Sequence, residues 1–72
     1  MDSGISVDVV RALARLPARQ RAAVVLRYWV DLPIEEVARL LGCGAGTVKS
    51  HSARGLAALR EMIDDGILEG HQ

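Results

Sequence analysis

Residues 34–56, IEEVARLLGCGAGTVKSHSARGL, hold two stretches of helical periodicity joined by a short turn, and any fold for this chain must accommodate that pair. Ile34, Val37, Ala38 and Leu41 recur at spacings of three and four, which places them on one helix face. Small Ala38 falls where a second helix can cross closely. Gly42 follows the last periodic residue, and a glycine there takes the left-handed backbone that ends a helix without a Cβ clash. Thr47 and Val48 are then predicted to open the next helix. At 100° per residue its apolar side gathers Val48, Ser52, Gly55, Leu56, Leu59, Met62 and Ile63. The opposite side carries Gly46, Ser50, Ala53, Arg54 and Ala57, flanked by Thr47, Lys49 and Arg60.

Two helices across such a turn outline a helix-turn-helix. An outward face of small residues, hydroxyls and long cations suits the floor of a DNA major groove, where bulk blocks approach and Arg or Lys can meet guanine O6 and N7. The same pattern also describes an ordinary solvated helix face. His51 lies at the edge of the apolar stripe, open to two readings: a hydrogen bond to a base or phosphate, or packing against the bundle with its polar edge wet. His71 is assigned to a solvated tail.

The rest of the chain extends the helical pattern. Ser6 or Asp8 is expected to cap a first helix reaching about Leu16, with an apolar stripe of Val9, Val10, Leu13 and Leu16. Pro17 ends it and suits the first turn of a second helix, Ala18 to Trp29, which is apolar over much of its circumference and is expected to be central. Asp31 to Pro33 connects it to the third helix, whose Glu35 and Glu36 favour the positive helix N-terminus. Gly66 is the expected terminator of the fourth helix, with Ile67 or Leu68 folding back on Met62 or Ile63. No alternating strand pattern and no internal repeat appears. The reading is therefore all-α: a four-helix bundle over 7–66 containing a helix-turn-helix with a long C-terminal recognition helix, a disordered 1–6 and a tail over 67–72.

The formal net charge is zero, which alone argues against a nucleic-acid partner. Its distribution argues for one. All nine cations lie between Arg11 and Arg60 with three acids, and the other six acids lie outside that window. A basic body with acidic ends can meet phosphate through one face. The single Cys43 has no partner for a disulfide or a zinc site and is expected to pack inward. Gly42, Gly44 and Gly46 follow a helix and lack the lysine and hydroxyl of a P-loop. Adjacent Glu35 and Glu36 point in different directions and make no acid/base pair. No enzyme activity, cofactor or metal is expected. Neither a bilayer-spanning run nor a signal peptide is evident, so a cytoplasmic location with no membrane partner is the expectation.

The string LPARQRAAVVLRYWVDLPIEEVARLLGCGAGTVKS, followed by ARGLAALR, resembles region four of bacterial RNA polymerase sigma factors. The likeness covers about residues 9–63 and is closest to the extracytoplasmic-function group of actinobacterial type. It implies a DNA-binding domain whose last helix enters the major groove of the upstream, minus 35, promoter element while another surface docks on the β flap of RNA polymerase core. Lys49, Ser50, His51 and Arg54 match positions that commonly face double-stranded promoter DNA in that family, and Thr47 falls at the start of that helix near the phosphates. Anti-sigma proteins commonly cover these surfaces. The resemblance directs partner binding to Met62 and Ile67, with Leu13 and Leu16 more at home in the core. Gly44 stands where many members have a capping serine, and Ser52 and Ala53 where many have larger residues. The chain lacks the region that reads the downstream promoter element, so it is expected to be an excised domain or a standalone protein using the fold differently. Two other readings are an effector domain of a response-regulator-type activator and a helical interaction module that touches no DNA.

Overall fold

A computed structural model describes residues 7–64. Among these residues there are four α-helices and no strand: α1 (Val7–Ala14), α2 (Ala18–Val24, continued by a π-helical turn Val25–Trp29), α3 (Ile34–Leu41) and α4 (Ala45–Asp64). The expected boundaries at 6 and 67, the Ser6 cap, the Gly66 terminator and the fold-back of Ile67 or Leu68 lie outside the described residues. Asp8 sits inside the first turn of α1 rather than at its cap.

Helix α1 ends at Ala14, two residues before the expected Leu16. The backbone tightens there, with Arg15 and Leu16 N–H donating to Ala12 and Leu13 carbonyls at 3.0 Å each. Pro17 imposes this, since its ring disfavours helical backbone in the residue before it. It stands just ahead of α2 with ψ 147°, and its carbonyl accepts from Arg21 N–H at 2.9 Å.

The second helix differs from a straight α-helix. From Val25 it widens to π geometry, closed by Val30 N–H donating to Val25 O at 3.0 Å. Leu32 N–H then reaches Leu26 O at 3.0 Å, and the chain turns through Asp31 at φ 66°. Asp tolerates that left-handed backbone better than most residues because its side chain is short and polar. The wide turn shares one apolar run between two clusters. Val25 and Trp29 pack on Leu13, Leu16 and Val24, whereas Leu26 packs on Val37, Ala38 and Val48. Tyr28 and Val10, expected to be covered, are 51% and 52% exposed. Arg27 lies 5.7 Å from the Tyr28 ring centroid, a cation–π contact at the surface.

Gly42 ends α3 at φ 71°, ψ 36°. Its N–H donates to Arg39 O at 3.3 Å and that of Cys43 to Ala38 O at 3.0 Å, the paired bonds of a Schellman cap. Cys43 packs against Val37, Ala38 and Val48, so its inward placement agrees with the sequence reading. Helix α4 starts at Ala45, earlier than the expected Thr47, because Gly44 supplies the first accepting carbonyl, to Val48 N–H at 3.1 Å. Ala45 and Gly46 are thus the first helical turn and not loop.

Helices α2 and α4 cross at Gly55. A Cβ there would sit 2.6 Å from Val24 Cγ2 and 3.3 Å from Gln20 O, so only glycine permits the approach. One turn earlier Ser52 is buried, and its hydroxyl donates to Val48 O at 2.9 Å within its own helix. That bond satisfies the hydroxyl without a partner across the crossing.

Candidate nucleic-acid interface

The α2–α4 crossing decides which side of α4 is free. Val48, Ser52 and Gly55 face inward, while Gly46, Thr47, Lys49, Ser50, Ala53, Arg54, Ala57 and Arg60 are all exposed. The structure thus brings the expected Thr47, Lys49, Ser50 and Arg54 onto one open surface. No carboxylate interrupts α4 between Ala45 and Arg60. Thr47 lies at the third position of the helix, still within the turn whose backbone N–H groups have no intrahelical acceptor. Those donors and the helix dipole favour an anion at this end.

His51 lies between the two sides and is half-buried. Its Nδ1 is covered and has no hydrogen-bond partner. The two ring nitrogens therefore differ, Nδ1 being the one enclosed without a partner.

The other cations are less available than their count suggests. Arg19 donates to Leu41 O at 2.7 Å, capping the end of α3. Arg21 donates to Ala14 and Leu16 carbonyls at 3.2 Å each, doing the same for α1. Arg27 reaches Leu32 O at 3.1 Å in the turn after α2, and Arg39 pairs with Glu36 at 2.8 Å. Four of the nine cations thus have structural partners, and the uncommitted charge is concentrated on α4 together with Arg11 and Arg15. Sequence spacing shows the Arg39–Glu36 pair, three residues apart on one helix, but not the bond of Arg19, whose acceptor lies 22 residues away.

An apolar groove of about 310 Å³ opens on another side of the bundle, lined by Val9, Ala12, Trp29, Leu56, Leu59, Arg60 and Ile63. Leu56 and Ile63 are 38% and 57% exposed, the part of the apolar stripe that α1 and α2 leave uncovered. Met62 instead packs beside Leu13, Leu16 and Val24, with Leu13 and Leu16 in the core. Ile67 lies outside the described residues. Among the described residues no cluster of His, Cys, Asp and Glu could hold a metal ion, and no helix is long and apolar enough to cross a membrane.

The family model described as Sigma-70, region 4 matches residues 6–59. The chain belongs to the sigma-70 region 4 family. An RNA polymerase sigma-E factor of Streptomyces avermitilis is 43% identical over 68 residues, 94% of this chain and 36% of the relative. The RNA polymerase sigma-E factor of Streptomyces coelicolor is 48% identical over 62 residues, 86% of this chain and 33% of the relative. The ECF RNA polymerase sigma factor SigM of Mycobacterium tuberculosis is 47% identical over 58 residues, 81% of this chain and 30% of the relative. The chain spans about a third of the length of these curated relatives. No solved structure matches it.

Proposed function

We propose that this region 4 domain recognises the upstream, minus 35, promoter element for RNA polymerase, with α4 in the major groove. Thr47 and the first turn of α4 meet phosphate, Lys49 and Ser50 position the helix, and Arg54 and His51 read base edges or their neighbouring phosphates. The observation that carries this reading is the uninterrupted acid-free face from Gly46 to Arg60, exposed along its length. A solvated helix face of ordinary composition would mix acids among its cations. The reaction is binding and positioning, and the chemistry of RNA synthesis belongs to the polymerase. Such a domain works in the cytoplasm, where the polymerase is.

The groove beside Trp29 is the better docking surface for a protein partner than Met62 alone. Its apolar walls and the Arg60 rim fit an amphipathic helix bearing an acid, as the β flap of the polymerase or an anti-sigma protein could present. Ile67, four residues beyond Ile63 in sequence, is proposed as a further partner-binding residue.

Salt dependence of binding to promoter duplex tests the DNA reading. With about three to five phosphate contacts, log K falls against log salt with a slope of about −3 to −5. A flat response would remove DNA as the partner.

A further inference from the structure

His51 carries a polarity that its type alone does not reveal. In the neutral ring one nitrogen holds the proton and donates while the other accepts. Nδ1 is covered by the protein and finds no partner, whereas Nε2 is not enclosed in this way and the residue as a whole is half-buried. A buried N–H without an acceptor is rarer and costlier than a buried lone pair, so the proton belongs on Nε2, where water or a ligand can accept it. We propose that His51 meets DNA through its Nε2–H as the donor, aimed at an acceptor atom of the duplex. This rests on the promoter-binding reading above and deepens it.

The consequence is chemical selectivity. In the major groove a donor pairs with guanine O6 or N7, adenine N7 or thymine O4. Cytosine presents only its N4 donor there, so the facing base is any but cytosine unless the acceptor is a phosphate oxygen.

Two measurements test this on the full chain. First, ring ¹⁵N spectra of the free protein, with His71→Gln leaving a single histidine, should place the proton on Nε2. A proton on Nδ1 overturns the proposal without reference to DNA. Second, His51→Gln sets an amide N–H where Nε2–H stood, whereas His51→Asn sets one where Nδ1 stood. On the best promoter duplex, His51→Gln should bind within about twofold of wild type and His51→Asn about five- to tenfold more weakly. Across a duplex library, a loss tied to one position assigns a base acceptor, and a uniform loss assigns a phosphate oxygen. A preference for cytosine at that position, or equal affinities in both variants while wild type binds, overturns the His51 assignment alone. Failure of wild type to bind any duplex would instead sink the promoter reading and the inference with it.

Discussion

Lys49 and Arg54 are both exposed on α4, yet they offer DNA different things. A guanidinium presents a planar fork of donors that matches guanine O6 and N7, whereas an ammonium is a point charge on a flexible stem. Arg54→Ala should cost about 1–3 kcal/mol on the best promoter sequence and flatten preference at one base pair. Lys49→Ala should weaken all sequences evenly and shallow the salt slope by about one. Identical responses across a promoter library would erase the division between reading and positioning. The exposure of both residues was legible in the sequence, since it follows from 100° spacing against an unambiguous apolar stripe. The commitment of Arg19 was not, because it caps a carbonyl 22 residues away that only the tertiary fold brings near, and those of Arg21 and Arg27, to carbonyls five to seven residues away, depend on the turns at Pro17 and Asp31. His51 sits where the helical wheel changes sign, and only atom-level burial separates its two nitrogens.

Among the elements, the end of α3 was fully legible, since Gly42 is the one residue there that takes the left-handed cap without strain. The start of α4 was misplaced. Thr47 and Val48 were expected to open it, but with Gly44 accepting from Val48, Ala45 and Gly46 form its first turn. The π turn after Val24 was invisible, because five residues of one apolar run fit either periodicity until both clusters are known. Gly55 was visible only as one member of the apolar side; its role comes from the 2.6 Å that separates a would-be Cβ from Val24 Cγ2. Val24 is fully buried and β-branched, so it cannot swing aside, and Gln20 O is backbone. Gly55→Ala should therefore destabilise by about 1–2 kcal/mol in urea unfolding, overpacking exceeding the helix-propensity gain of just under 1 kcal/mol. Gly46→Ala, where a Cβ meets nothing within 4 Å, should be neutral or slightly stabilising. A stable Gly55→Ala protein would mean that the helices cross less closely.

At the scale of the whole molecule, one helix serves two surfaces at different angles around its axis: the cationic face from Gly46 to Arg60, and the groove formed with α1 and the end of α2. Leu56 and Ile63 line that groove while remaining partly exposed, whereas Met62, one residue away from Ile63, is packed against the core cluster. The apolar stripe of α4 was readable in sequence, but which of its members stay uncovered depends on how short α1 is and where Trp29 lands after the π turn. The two groups of residues should separate in experiment. Leu56→Asp with Ile63→Asp places charge at positions that water already reaches, so helicity and promoter-duplex affinity should persist while polymerase or anti-sigma binding is lost. Met62→Asp places a carboxylate against Leu13, Leu16 and Val24, and should cost about 2–4 kcal/mol of stability, a large fraction of what a domain of this size has. Circular dichroism, duplex titration and polymerase pull-down on the same preparations distinguish these outcomes. If the Leu56/Ile63 variant unfolds, the groove is core rather than a docking surface. If it folds and still binds polymerase, the partner surface lies elsewhere and the groove must be given up as its site.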